Sequence, residues 1–167
     1  MIFDEKWNLR FLDLARHIST WSKDPSTKVG AVIVDPNRRV VSVGYNGFAR
    51  GVADHDHLLH NREEKYKRVI HAERNALLFA HAPVKRCTLY IWPLSVCSQC
   101  AAMFIQVEIA AVVHPNHNDF AFSGPAWQAT LGRWEPDTTL AKQMLHEAAV
   151  ASIPVSVPAA WLSTLDT

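Results

Sequence analysis

Two short polar motifs constrain this chain more than any other feature, because each falls where a helix is expected to begin. His71-Ala72-Glu73 opens one run of helical periodicity, and Cys97-Ser98-Gln99-Cys100 opens another. Each follows a strand or an apolar run, so both helix starts can meet at one end of a sheet, where open α/β sheets bind ligands. Thiolates at i and i+3 share a helix face, so Cys97 and Cys100 can reach a single ion. The His71 imidazole completes three protein ligands. Zn2+ takes such nitrogen and sulfur sets, and three ligands leave a fourth position open to water, the mark of a catalytic rather than a structural site. The pKa of water on such an ion falls to about 7. A helix N-terminus also favours thiolate over thiol. Glu73 projects beside the ion rather than necessarily onto it, in place for a proton shuttle. Two other readings stay open. A redox dithiol would sit in a thioredoxin-like setting, which is missing here. A closed structural site would need a fourth ligand, such as Cys87 or another His.

The segments around these motifs predict the fold. Trp7, Phe11, Leu14, Ala15 and Ile18 lie on one face of a helix over about Glu5 to Trp21. Asp24-Pro25 ends it, because a residue before proline avoids the helical region. Val29 to Val34 and Val40 to Tyr45 read as two strands of a hairpin joined at Asp35-Pro36-Asn37. Asn46 to Arg62 reads as a polar loop, and the charged run Arg62 to Arg68 as a short helix. A helix over His71 to Ala80 follows, with Ala72, Ala76, Leu77 and Ala80 inward. Then come a strand over Thr88 to Trp92, a helix over Cys97 to Gln106 and a strand over Ala110 to Val113. Asn116 to Asp137 reads as a long loop, since Gly124, Pro125, Gly132 and Pro136 interrupt it. Leu140, Met144, Leu145 and Ala148 mark a last amphipathic helix. Ile153 to Val157 reads as an edge strand, where Pro154 is tolerable. A hairpin followed by alternating strands and helices predicts a three-layer α/β/α sandwich with a mixed five-stranded sheet, parallel beyond the first hairpin. At 167 residues, the expectation is one domain over 1–167.

Composition narrows the function. Hydrophobic residues make up 49% of the chain, enough for a core and against global disorder. A net charge of +1 does not favour a polynucleotide partner, although a local basic patch could hold one phosphate. The start, Met1 to Lys6, lacks a basic region followed by an apolar run, and no stretch approaches the roughly 18 apolar residues of a membrane span. These features point to a cytoplasmic protein. Three cysteines cannot all pair within one chain, and the i, i+3 pair suggests metal or redox chemistry over a disulfide scaffold.

The order H-x-E followed by P-C-x-x-C is the known signature of zinc nucleobase deaminases. Here it reads H-A-E and then V-C-S-Q-C, with Val96 in place of the proline. The resemblance extends further, to the deoxycytidylate (dCMP) deaminases. Ser22 to Ala31 (SKDPSTKVGA) is similar to their entry into the first strand. Gly44 to Gly51 (GYNGFARG) is similar to their GYNG-x-P-x-G stretch, and Arg62 to Glu73 resembles their lead-in to the zinc helix. Ala49 and Val107-Glu108 depart from the family pattern. The match covers roughly residues 5 to 113.

That resemblance implies hydrolysis of dCMP to dUMP and ammonia. A zinc-activated hydroxide attacks C4, and Glu73 carries the proton to N3 and then helps ammonia leave. It implies Asn46 as a sugar or base contact and the Ala72 backbone N–H as a donor to the base carbonyl. Ser22 and Lys23 are the phosphate candidates, with Lys28 and Arg50 behind them. Enzymes of this family are commonly hexamers regulated by dCTP and dTTP, with Mg2+ on the triphosphate. The resemblance therefore implies a homo-oligomer and leaves a regulatory Mg2+–nucleotide open. Read without it, each basic residue is a solvated charge and Asn46 a turn residue. His55, His57 and His60 read as a polar surface loop, with a second metal site as the rival reading. Tyr66 either stacks on a base or packs, and Trp127 and Trp134 read as core or subunit contacts. Rival functions are deamination of cytidine, guanine or a tRNA adenosine, and a non-catalytic deaminase-fold regulatory module. The Asn46–Val69 insertion and the SKDPSTK segment favour a nucleotide, near-neutral charge disfavours tRNA, and Glu73 and all three ligands are present.

Overall fold

A computed structural model describes residues 3–119 and 122–162. The chain runs α1 (Glu5–Ser19), β1 (Gly30–Val34), β2 (Val40–Tyr45), β3 (Gly47–Phe48), α2 (Asp56–His60), α3 (Arg62–Arg68) and β4 (Val69–Ile70). It continues as α4 (Ala72–Leu78), β5 (Thr88–Trp92), α5 (Ser98–Gln106), β6 (Ala111–Pro115), α6 (Pro125–Glu147) and β7 (Ala151–Val155). Met1 and Ile2, at the start read for export signals, lie outside the described residues.

Local chemistry starts these elements. The Asp4 carboxylate caps α1 by accepting from the Trp7 N–H at 3.0 Å. Asp35 turns the first hairpin, accepting from the N–H groups of Asn37 at 2.8 Å and Arg39 at 2.9 Å. The five-stranded sheet has the order β2-β1-β5-β6-β7. β1 is antiparallel to both β2 and β5, and β5, β6 and β7 are parallel. The expected mixed sheet is therefore present, with β7 on the edge and Pro154 within it.

Successive residues of the central strands feed opposite layers, as a pleated strand requires. Ala31, Ile33, Leu89, Ile91 and Val112 pack with residues of α4, α5 and α6. Val32, Val34, Tyr90, Trp92 and Val113 pack with Phe11, Leu12, Ala15 and Ile18 of α1. The sheet is thus covered on both faces.

One glycine lets the site helix approach the sheet. A methyl group at Gly44 would run into the Ala72 carbonyl and the Ala76 N–H of α4. Gly44→Ala is therefore expected to cost about 1–3 kcal/mol of stability, the range for forced overpacking. Urea unfolding measures this, and an unchanged midpoint would contradict the close approach.

Two segments differ from expectation. Residues 116–137 are not one long loop. Pro125 stands at the start of α6, where its fixed φ and missing N–H are tolerated. The helix continues through Gly132 and Pro136 because tertiary contacts outweigh these breakers. Ala141 and Leu145 are buried, and the Asp137 carboxylate accepts from the Ser98 N–H (2.9 Å) and Oγ–H (2.5 Å) at the start of α5. Phe120 and Ala121 of that stretch lie outside the described residues. Residues 46–62 are not wholly loop either. Gly47–Phe48 pairs with Val69–Ile70, and α2 follows. Two-residue strands carry no periodicity from which to read them. No helix among the described residues is long and apolar enough to cross a membrane.

Candidate active site

His71 is the N-cap of α4 and Cys97 the N-cap of α5, so both motifs stand at helix starts. His71 Nδ1 lies 3.5 Å from Cys97 Sγ and 3.5 Å from Cys100 Sγ. Cys97 Sγ also accepts from the Cys100 N–H at 3.4 Å. The three ligand atoms lie within 4.8 Å of one another, and among the described residues no other such group of potential ligands occurs.

This donor set fits a zinc ion. Tetrahedral bonds of about 2.1 Å to nitrogen and 2.3 Å to sulfur give N···S edges of about 3.6 Å. Charge points the same way. The Cys97 thiol is brought down by its hydrogen bond with Cys100 and further by His71. Cys100 is pushed up by that same bond and by burial. A cation against both sulfurs would favour thiolate at each of them. Hydrogen bonding to Cys97 raises the His71 imidazole. Arg74 adds positive charge beside Cys100 and donates to Gln99 Oε1 at 2.6 Å.

Glu73 is only 3% exposed, and loss of water pushes its carboxyl above the ordinary range. It lines a cleft of about 270 Å³ together with His71 and Cys97. The cleft wall therefore joins a buried carboxyl group to a metal-type donor set.

The other anticipated residues fall in different places. Asn46 lines the cleft, but its amide is already engaged. Oδ1 accepts from the Val29 N–H at 2.8 Å, and Nδ2 donates to the Thr27 carbonyl at 2.9 Å. Ala72 is fully buried in the first turn of α4 and is not part of the cleft wall. Ser22 Oγ donates to the Asn46 carbonyl at 2.8 Å, and Lys23 pairs with Asp54 at 2.7 Å, both outside the wall. Lys28 and Arg50 are also outside it, with Arg50 over the Phe79 ring. Cys87 is buried apart from the ligand trio, its Sγ 3.8 Å from the Pro83 carbonyl. His55 and His57 stack on the surface, whereas His60 reaches the cleft wall.

Several cleft residues gave no sequence signal. Lys65 is 4% exposed and spans Asp24 (3.0 Å) and Ser26 (2.9 Å), although its run reads only as a charged short helix. Asp24 Oδ1 in turn accepts from the N–H groups of Ser26 and Thr27, so the ion pair shapes the loop entering β1. Trp134, expected as a core or subunit contact, stands at the cleft. Its ring lies edge-on to His71 at 6.5 Å and to Tyr66 at 6.2 Å in the cleft wall. Trp127 does pack against the α1-side core. Arg62 and Arg133 supply further cations to the wall.

The family model for the cytidine and deoxycytidylate deaminase zinc-binding region matches residues 5–115, two-thirds of the chain. The chain belongs to this deaminase family. It is 40% identical over 146 residues to a protein of Aliivibrio fischeri described as an uncharacterized deaminase in the luxG 3′ region, covering 87% of this chain and 90% of that protein. It is 42% identical over 125 residues to a probable deoxycytidylate deaminase of Caenorhabditis elegans, covering 71% of this chain but 62% of that relative. The solved dCMP deaminase of cyanophage S-TIM5, in complex with dCMP and dUMP, superposes with a TM-score of 0.67 at 20% identity, over 92% of this chain and 100% of that one. At that identity the likeness concerns the fold, which is the deaminase sandwich. The matched region ends before α6, so Arg133, Trp134 and Thr138 reach the cleft from outside it.

Proposed function

We propose that this chain, as a single deaminase domain over 1–167, hydrolyses dCMP to dUMP and ammonia. The observation that carries the reading is Glu73, buried in the cleft beside His71, Cys97 and Cys100. Family membership and the names of the deoxycytidylate deaminase relatives support the substrate. His71, Cys97 and Cys100 would hold Zn2+, which would supply a polarised water nucleophile at neutral pH.

Glu73 performs the proton transfers. Its carboxylate accepts a proton from the attacking water and delivers it to N3 as oxygen adds to C4. It then takes the proton of the new C4 hydroxyl and passes it to the exocyclic nitrogen, so the C4–N bond breaks with ammonia as leaving group and C4 becomes the carbonyl of dUMP. A carboxyl raised by burial is closer to neutral pH, where it both accepts and donates well. Trp134 and Tyr66 offer flat apolar walls for the pyrimidine. Asn46 holds the loop from Asp24 to Val29 that forms one side of the cleft, and so positions that wall.

Arg62 and Arg133 receive the 5′-phosphate. Both line the cleft from different helices, and Arg62 stands over the Tyr66 ring at 5.1 Å. Lys65 is committed to Asp24 and Ser26. Exposed Leu78, Phe79 and Trp21 leave apolar surface for a homo-oligomer. The reading places the enzyme in cytoplasmic nucleotide metabolism.

Steady-state rates on dCMP, deoxycytidine and cytosine test the substrate. Charge-assisted hydrogen bonds are worth roughly 1.5–3 kcal/mol each, so dCMP should exceed deoxycytidine by about 10²-fold in kcat/KM. Arg62→Gln combined with Arg133→Gln should remove most of that preference and leave the deoxycytidine rate near its starting value. Equal rates on both substrates in the unaltered protein would make this a nucleoside deaminase.

A further inference from the structure

A second open cleft, about 470 Å³, lies where α6 faces the ends of β6 and β7. Its wall carries His114, His117, Asn118, Lys142, His146 and Ser152, and no acidic residue. We propose that this cleft is an anion site separate from the catalytic one, and that its ligand is a phosphate group.

The free donors come from two elements. Lys142 and His146 stand at i and i+4 on α6 and therefore share a face. Both are exposed to water, and among the described residues neither has an ion pair. Asn118 approaches from the loop after β6. Its backbone N–H donates to Asn116 Oδ1 at 3.2 Å, and the residue lines the cleft. The nearby acid, Asp119, is held by Asn116 Nδ2 (2.8 Å) and Ser156 Oγ (3.3 Å) and is not part of the wall.

The back of the cleft is preorganised. His114 and His117 stack with centroids 5.6 Å apart. His114 Nδ1 bonds the Pro115 carbonyl at 2.8 Å, and its Nε2 meets Ser152 Oγ at 3.3 Å. His117 Nε2 bonds the Pro93 carbonyl at 2.9 Å. Burial moves both imidazoles down, His114 to about 4. A compact oxyanion is the ligand that answers a lone ammonium, an imidazole and an amide on a rigid, acid-free wall. Pro93 precedes Leu94 and Ser95 of the catalytic cleft, so an occupant would sit one hydrogen bond from that wall. His114, His117 and His146 do not bring their ligand atoms together as a metal group does.

Histidine side-chain NMR on the full zinc-loaded chain separates the two clefts. The probe is inorganic phosphate at constant pH, compared with sodium chloride at equal ionic strength to remove simple screening. Saturable shifts at His114, His117 and His146 are expected with phosphate and absent with chloride. Shifts at His60 and His71 would report the catalytic cleft instead. Lys142→Gln and His146→Gln are surface changes, and each should weaken the second-cleft affinity by roughly tenfold with unchanged Tm. Glycerol 1-phosphate identifies the source. Binding as tight as phosphate means a phosphomonoester ligand, and binding of inorganic phosphate alone means the free ion. Shifts confined to His60 and His71, equal shifts with chloride, or unaltered affinity in both variants would overturn the site.

Discussion

Glu73→Gln is expected to abolish measurable turnover while the protein keeps its fold and its metal. General acid–base catalysis by one group is worth roughly 10²–10⁴-fold. Here one carboxylate serves at least two transfers, so kcat should fall by at least the upper part of that range. Glutamine has nearly the same shape and no proton to exchange, so the loss falls on chemistry rather than packing. Stability should move the other way. Glu73 is 3% exposed, and burying a carboxylate costs folding free energy that a neutral amide does not. Tm should therefore stay level or rise, the usual sign of an active-site charge retained for function. Metal analysis, thermal unfolding and dCMP turnover on one preparation settle the matter. A variant retaining a tenth of the rate would remove Glu73 from the proton path.

The contrast between legible and illegible parts of the site follows from how each is encoded. Ligands at helix starts are local: His71 and Glu73 lie two residues apart, and Cys97 and Cys100 three, so spacing alone carries the geometry. The sheet was equally readable, because Val32, Ile33, Tyr90 and Val113 belong to short buried runs with strand chemistry. Residues whose partners are distant in sequence were not. Lys65 meets Asp24 across 41 positions, and Asp137 reaches Ser98 across 39. Neither pairing has a signature within its own segment. Lys65 sits among charges that do face water, such as Lys67 on Glu63, and so takes their appearance. The first half of α6, up to Asp137, was not legible for a related reason. Pro136 and Gly132 are strong local breakers, and the contacts that override them lie on α5. The residues expected at the phosphate came from a matching segment, SKDPSTK, whose side chains the fold spends on itself. Ser22 bonds the Asn46 carbonyl, Asp24 holds Lys65, and Lys23 turns out to Asp54.

Removal of a metal ligand is the second large effect expected. Cys100→Ser should reduce bound zinc to less than one-tenth of an equivalent per chain and lower turnover to background. Cys100 is fully buried, so no solvent ligand enters easily to replace its sulfur. A serine hydroxyl is a harder, less acidic donor than a thiol and is a poor substitute on an ion that prefers nitrogen and sulfur here. Because metal binding to the folded state is linked to its stability, the variant should also melt lower than the zinc-loaded parent. Against the metal-stripped parent that difference should largely vanish, which separates lost binding energy from damaged packing. Cys87→Ser is the matching control. Cys87 is equally inaccessible at 1% exposed, yet it lies apart from the ligand trio. It should keep one zinc per chain and near-normal turnover. If Cys87→Ser instead lost the metal, the site would be a closed four-ligand one without room for a nucleophilic water. That outcome would remove the catalytic reading, because an open coordination position is what joins His71, Cys97 and Cys100 to the chemistry of Glu73.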